Sequence, residues 1–455
     1  MNKPEQSTAG DVRWSRLYIF WSTTILLFAA VMVGTLFPQS RSWGFHFLAY
    51  YSAPVRWILI AGAAVLLSVG LRWYVRTQPP RLQPLTMDIL LAVISGIIFF
   101  IFRTAVPVLG DGQLWINELN AGGMNIWTRR GPFTLGMFHF LYDGLYSGLP
   151  HGAQALFRDA TAVLGAIMIF SWLRLARRLA VSPMIALLFG FTWGGIAQFF
   201  GYVELYSVMI VIVTVMIVWM VMSVHHQRPN WLVFVLAAIA PLFHLIAFTF
   251  WPAVGLYLWW CITKRTPSRR TLSTILLTFF GIAFAAYLSS GWYRGTEILL
   301  PILPMANNPY ALFSGKHLLD LINEAVLVLG PGLGLLLLAV VNRPRDQAQP
   351  DQRYSILFLA LAVPIAALII HNPQLGMPRD WDIGAACWTA LPIALIVIWS
   401  DLRLDPQSLR RIRLAFAAWI FVLIIPWIGI QVSEARSLAR FTDLLRLDPS
   451  RSATG

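Results

Sequence analysis

Cysteine is nearly absent: the 455 residues hold two, Cys261 and Cys387, both inside apolar runs. Thiols so placed supply neither a disulfide framework nor metal-ligand spacing, so both are read as packing residues. Charge is scarce too. Asp, Glu, Lys and Arg make up 12% of the chain, against about 25% in a soluble domain, a deficit too large for a surface facing water. No soluble domain interrupts the apolar runs, and no segment repeats at a fixed period.

What fills the chain is apolar. Hydrophobic residues reach 58%, with 20 Trp and 29 Phe, and the mean hydropathy is +0.67. Indole rings suit the boundary between lipid and water, where one edge is apolar and the other polar. The net charge of +14 would suggest nucleic acid in a soluble protein. Here it is read as cytoplasmic loops retained by Lys and Arg and meeting anionic lipid, with no nucleic-acid partner.

A helix needs ~20 mostly apolar residues to cross a bilayer. By that rule the fold class is all-α: a polytopic transmembrane bundle of about 13 spans, with polar non-cytoplasmic loops and interfacial helices. The spans fall near 17–37, 54–75, 84–102, 152–173, 183–200, 205–224, 231–245, 247–263, 271–290, 325–342, 354–371, 384–400 and 414–431. The pair over 231–263 is short for two crossings and also reads as one tilted helix plus a re-entrant piece. Segment 133–149 reads as interfacial or re-entrant. The first run has no small-residue cleavage site and is read as a retained helix. Residues 1–16 form an N-terminal tail and 432–455 a C-terminal tail, amphipathic and then disordered. Outer loops are 103–151, 291–324 and 371–383.

Basic residues set the orientation. With the N-terminus in the cytoplasm, clusters such as Arg72, Arg76 and Arg81, then Arg174, Arg177 and Arg178, and Lys264, Arg265, Arg269 and Arg270 all face inward, as the positive-inside rule requires. The C-terminus then lies outside a bacterial inner membrane. Acidic residues do the reverse and gather on or near the outer face: Asp111, Glu118, Asp143, Asp159, Glu204, Glu297, Asp320, Glu324, Asp380 and Asp382.

Four outer segments are rich enough in polar groups for chemistry. In the first, Asp111 sits between Gly110 and Gly112. Such flanks let a ligand approach the carboxyl, which can act as general base or metal ligand; the plain alternative is a turn with Asp111 as helix N-cap. Glu118 follows seven residues on, on the same helical face, and Arg129 and Arg130 suit headgroups or phosphate. In the second, Glu204 lies between Tyr202 and Tyr206 at a helix junction, where an ionisable group is costly unless paired or solvated. In the third, 291–324, Arg294 and the sequence Ser314-Gly315-Lys316-His317 suit a phosphate. The fourth, His371 to Asp382, packs Arg379, Asp380 and Asp382 around Trp381. The ring can stack on a sugar, the acids accept hydroxyl protons and the arginine forks onto oxygens; an internally paired Arg–Asp turn is the alternative. His244, alone in an apolar run, is read as packed or hydrogen-bonded, and His225 and His226 have no metal-spaced partner.

The layout, with GDGQLW at 110–115, FFGYVELY at 199–206, LFSGKHLLDLINE at 312–324 and HNPQLGMPRDWD at 371–382, resembles the C-type integral-membrane glycosyltransferases. In that superfamily the acidic loop usually follows the first helix, whereas here it follows the third. The resemblance implies transfer of a sugar from a polyprenyl-phosphate carrier to an acceptor glycan, lipid or protein at the outer face. Asp111 would be the general base. Glu204, Asp380 and Asp382 would be further acids, with Asp111 and Glu204 as ligands if a divalent cation (Mg or Mn) takes part. Lys316, His317, Arg379 and Arg294 would hold the phosphate. A transporter or flippase for a lipid-linked or anionic substrate, or a non-catalytic subunit of a membrane complex, are the alternatives.

Overall fold

The computed structural model describes residues 14–38, 40–69, 84–122, 132–264, 274, 281, 299–304, 310–341, 351–373, 375–402 and 404–447. Among these the fold is helical; the one β-type contact is an isolated bridge between Leu299 and His371. Seven helical runs are long and apolar enough to cross a membrane: Leu17–Leu36, Gly152–Arg178, Tyr206–His225, Leu245–Lys264, Gln352–Ile370, Trp381–Asp401 and Pro406–Gln431. Gly315–Leu329 and Gly332–Val341 form an eighth candidate, bent by 89° between its halves. The expected thirteen spans are therefore not reproduced. Four apolar stretches, Ala53–Ser68, Leu85–Ile101, Pro183–Thr192 and Leu232–Phe243, are shorter helices, and the expected span at 271–290 lies almost wholly outside the described residues.

α1 (Trp14–Leu36) and α2 (Ala53–Val69) flank a folded connection. α3 (Pro84–Ile101) packs along α6 (Gly152–Arg178), and α6 along α8 (Tyr206–His225). The approach of α3 and α6 depends on small residues: a Cβ at Gly165 would meet Phe99 at 2.6 Å, so the backbones close to a distance larger side chains would forbid. Turned outward, α3 shows Leu90, Val93, Ile97 and Phe100 exposed. That spacing is one helical face, and a continuous apolar surface of this kind marks a lipid contact.

Between α3 and α6 lie α4 (Gly112–Ala121) and α5 (Pro132–Leu141), the latter running on through a π-turn at Tyr142–Tyr146. They do not join the main core. Trp115, Ile116 and Leu119 of α4 meet Leu135 and Phe138 of α5, Leu156 and Phe157 of α6, and Val203, Leu205 and Val208. This small second core caps one end of the bundle.

α7 (Pro183–Thr192) gives way to a 3-10 turn, Gly194–Phe199, that leads into the junction before α8. The stretch 231–263 resolves into α9 (Leu232–Phe243) and α10 (Trp251–Lys264), joined by a 3-10 turn. His244 is the hinge. Its Nδ1 accepts from the Ile246 N–H at 3.2 Å and its ring lies 4.4 Å from that of Tyr206, matching the packed reading.

The remaining helices are α11 (Gly315–Leu329), α12 (Gly332–Val341), α13 (Gln352–Ile370), α14 (Trp381–Cys387), α15 (Leu391–Asp401), α16 (Pro406–Trp419), α17 (Ile425–Gln431) and α18 (Glu434–Leu447). α18 corrects the expectation of a tail: Ser437, Arg440 and Leu444 are buried along one face, at the i, i+3, i+7 spacing of a packed helix.

Near the start of α3, Asp88 is buried and receives Arg177 at 2.5 Å and Arg174 at 3.3 Å. The 18 residues of α3 span ~27 Å at 1.5 Å per residue. At the far end the chain emerges toward Asp111.

Candidate functional site

The acid end is knitted from separated segments. The N–H and Oγ1 of Thr104 both donate to the Phe200 carbonyl, at 2.7 and 2.9 Å, and the Ala105 N–H donates to the Gln431 carbonyl at 2.7 Å. The strand of chain after α3 is thus fastened to the junction before α8 and to the end of α17. Gly110 then turns with φ +62°, in the left-handed region where a side chain is strained. A Cβ there would also run into the Glu204 carboxyl. The turn delivers the Asp111 N–H to Glu204 Oε1 at 2.5 Å, while the Trp115 indole N–H reaches Oε2 at 3.1 Å.

Glu204 can sit there because its neighbours anchor it. Val203 and Leu205 enter the second core, and the carboxyl between them turns toward Asp111. It is 5% exposed. Burial, then the charge of Asp111, push its pKa up to about 8, against the pull of the Asp111 and Trp115 N–H donors. Asp111 itself is exposed at the N-cap position of α4, where its side chain makes no capping bond to the helix.

The hairpin at 371–382 comes to the same place. Asp380 sits at the N-cap position of α14 and accepts from the Leu375 N–H at 2.9 Å. Asp382 is buried, and its carbonyl is held by Gln198 Nε2 at 2.9 Å. Asp111, Asp380 and Glu204 all act electrostatically on Asp382, and Asp111 and Asp380 on Glu204. Four acids from three distant stretches therefore share one cluster. Within it, burial and the neighbouring acids favour the protonated form of Glu204, while Asp111 stays exposed.

Other expected site residues stand elsewhere. Trp381 is fully buried, its ring packed edge-on to Tyr202 at 5.1 Å and to Trp427 at 4.6 Å. It builds a wall and has no free face for a sugar. Arg379 is buried, with its guanidinium 5.5 Å over the Phe441 ring. His317 is buried, with Nε2 2.9 Å from the Ile369 carbonyl and Nδ1 3.2 Å from the Tyr310 hydroxyl. Those partners occupy both ring nitrogens, which removes it as a phosphate ligand. Lys316 is exposed on α11. Arg294, Glu297, Arg129 and Arg130 lie outside the described residues. Asp320 is structural: Arg41 meets it through two nitrogens at 2.8 and 2.6 Å, with Trp43 Nε1 at 2.8 Å and the Tyr310 hydroxyl at 2.9 Å.

Among the described residues no three His, Cys, Asp or Glu side chains form a metal-binding group. The sequence reading missed Trp115, which grips Glu204. Its position four residues after Asp111, on the inner face of α4, was the available signal.

These features define a helical, membrane-embedded protein with a partly buried group of acids at one end of its bundle. No family model, curated protein or solved structure matches the chain.

Proposed function

We propose that this chain is a membrane glycosyltransferase that moves a sugar from a polyprenyl-phosphate carrier to an acceptor at the outer face of a bacterial inner membrane. The observation that supports this reading most is the meeting of Asp111, Glu204, Asp380 and Asp382 at one end of an apolar bundle, away from the arginines that pair with Asp88. A lipid carrier brings its reactive phosphate to that interface. The acceptor oxygen attacks the anomeric carbon, the bond from that carbon to the phosphate oxygen breaks, and the phosphate leaves with the electron pair. Asp111, the exposed member, takes the acceptor proton. Glu204 is a positioning residue that fixes the Asp111 backbone. A divalent cation would find carboxyl oxygens here and take its remaining ligands from the substrate phosphate. Mass spectrometry of envelope glycans and lipid-linked sugars from cells carrying wild type or Asp111→Asn tests the reading. Loss of one glycan, with its carrier-linked precursor accumulating, is expected; identical profiles at equal protein levels would overturn it.

A transporter or flippase is the second reading, and one observation favours it. Glu324 lies on the bent α11–α12 pair, 1% exposed, with neither carboxyl oxygen hydrogen-bonded. Buried acids on broken helices are common at coupling sites. Proton-coupled flux abolished by Glu324→Gln, with glycans unchanged, would select this reading.

A further inference from the structure

Beside Tyr202 a small pocket, partly open to its surroundings, lies between the chain after α3 and the α17–α18 corner. Its polar lining comes from Thr104, Tyr202, Gln431, Ser437 and Arg440, and Val106 and Leu109 supply an apolar wall. No acidic side chain lines it.

Two of these groups, Arg440 and Gln431, keep polar atoms without a hydrogen-bond partner. Arg440 is 1% exposed. One nitrogen, Nη2, reaches the Trp43 carbonyl at 3.5 Å, and the guanidinium lies 4.8 Å over the Phe47 ring. Its Nε and Nη1 have no hydrogen-bond partner. Gln431 is 3% exposed, and neither its Oε1 nor its Nε2 has one. Burial lowers the Arg440 pKa to about 10, which leaves the group cationic at neutral pH. Burial also raises the Tyr202 pKa well above its usual value, so its hydroxyl keeps a proton to donate. A buried cation without a counter-charge is among the costliest arrangements a protein can hold, and buried polar atoms are almost always satisfied. Two adjacent side chains that break this rule around one open pocket describe a site shaped for something else.

We propose that this pocket binds a phosphate-class oxyanion, with the Arg440 Nε and Nη1 and the Gln431 amide as donors. A planar guanidinium presents paired N–H groups that match two oxygens of such an anion. The anion is either a lipid headgroup phosphate or free phosphate. The assignment stands on these unpaired atoms and does not rest on the glycosyltransfer reading.

The test uses the full chain in maltoside detergent. Its thermal unfolding midpoint is followed while dodecyl phosphate, inorganic phosphate or, as an ionic-strength control, chloride is added. A bound ligand raises the midpoint with concentration. Wild type should respond to dodecyl phosphate alone if the source is a lipid headgroup, and to inorganic phosphate too if it is the free anion; chloride should do nothing. Arg440→Gln should abolish the response. Because that variant also loses the contacts to Phe47 and Trp43, Gln431→Met serves as the second. The Gln431 side chain has no internal hydrogen bond to lose, so this variant should fold as well as wild type while its apparent affinity falls at least tenfold. No response to either phosphate in wild type, or an undiminished response in Gln431→Met, would overturn the proposal and leave a pocket that holds only water.

Discussion

Glu204 should make the stability of this protein fall as pH rises, and Glu204→Gln should remove that dependence. In the folded chain the carboxyl titrates near 8, and its ordinary value is 4.5. Between those values the folded state holds a proton that the unfolded chain has released, so stability declines as pH climbs through the window and the loss is complete above the folded value. At 1.36 kcal/mol per unit the whole window is worth about 5 kcal/mol, and the portion between pH 6 and pH 9 about 3 kcal/mol. Other groups titrate in the same range, so the useful quantity is the difference between wild type and variant. Reversible chemical unfolding in detergent at pH 6, 7, 8 and 9 measures it. Infrared difference spectra between the two proteins should also show a protonated-carboxyl stretch that disappears with a midpoint near pH 8. Parallel pH profiles for wild type and Glu204→Gln, or a carboxyl already ionised at pH 6, would refute the reasoning.

Trp115→Phe deletes a donor to the charged form of Glu204, so the infrared midpoint should move upward, by up to about one unit for a hydrogen bond worth ~1 kcal/mol. Gly110→Ala places a Cβ in the left-handed region and against the Glu204 carboxyl; a loss of roughly 2–4 kcal/mol is expected in the same unfolding assay, from backbone strain and the clash together. Asp320→Asn leaves Arg41 without its buried counter-charge and should cost about 3–5 kcal/mol, whereas Lys316→Ala, one turn away and exposed, should change stability by less than about 0.5 kcal/mol.

The acid cluster was legible because carboxyls are rare in this chain and concentrated in short polar stretches between apolar runs. Asp111, Glu204, Asp380 and Asp382 each stood out on local grounds. The number of crossings was less legible, because hydropathy reports apolar length and not helical continuity. The run at 231–263 reads as two segments parting near 246, and the structure does divide it there, where His244 leaves the helix with φ −164°, but its first piece, Leu232–Phe243, is too short to cross. Side-chain direction was not legible either. Trp381 and His317 have the chemistry of ligand contacts, but Tyr202, Trp427 and the Ile369 carbonyl occupy them, and those partners come from remote parts of the sequence. Arg440 was passed over because a short basic amphipathic stretch after the last apolar run reads as a surface tail; only its packing against Phe47 and Trp43 shows that it turns inward.

Reconstitution tests the central claim most directly. Purified protein in liposomes, supplied with a panel of polyprenyl-phosphate sugars, is assayed for release of free polyprenyl phosphate in the presence of envelope acceptors. Release with at least one donor by wild type, reduced a hundredfold or more in Asp111→Asn at equal reconstitution, is the predicted result. Donors left intact by folded wild-type protein across the whole panel, or turnover unaffected by Asp111→Asn, would contradict it.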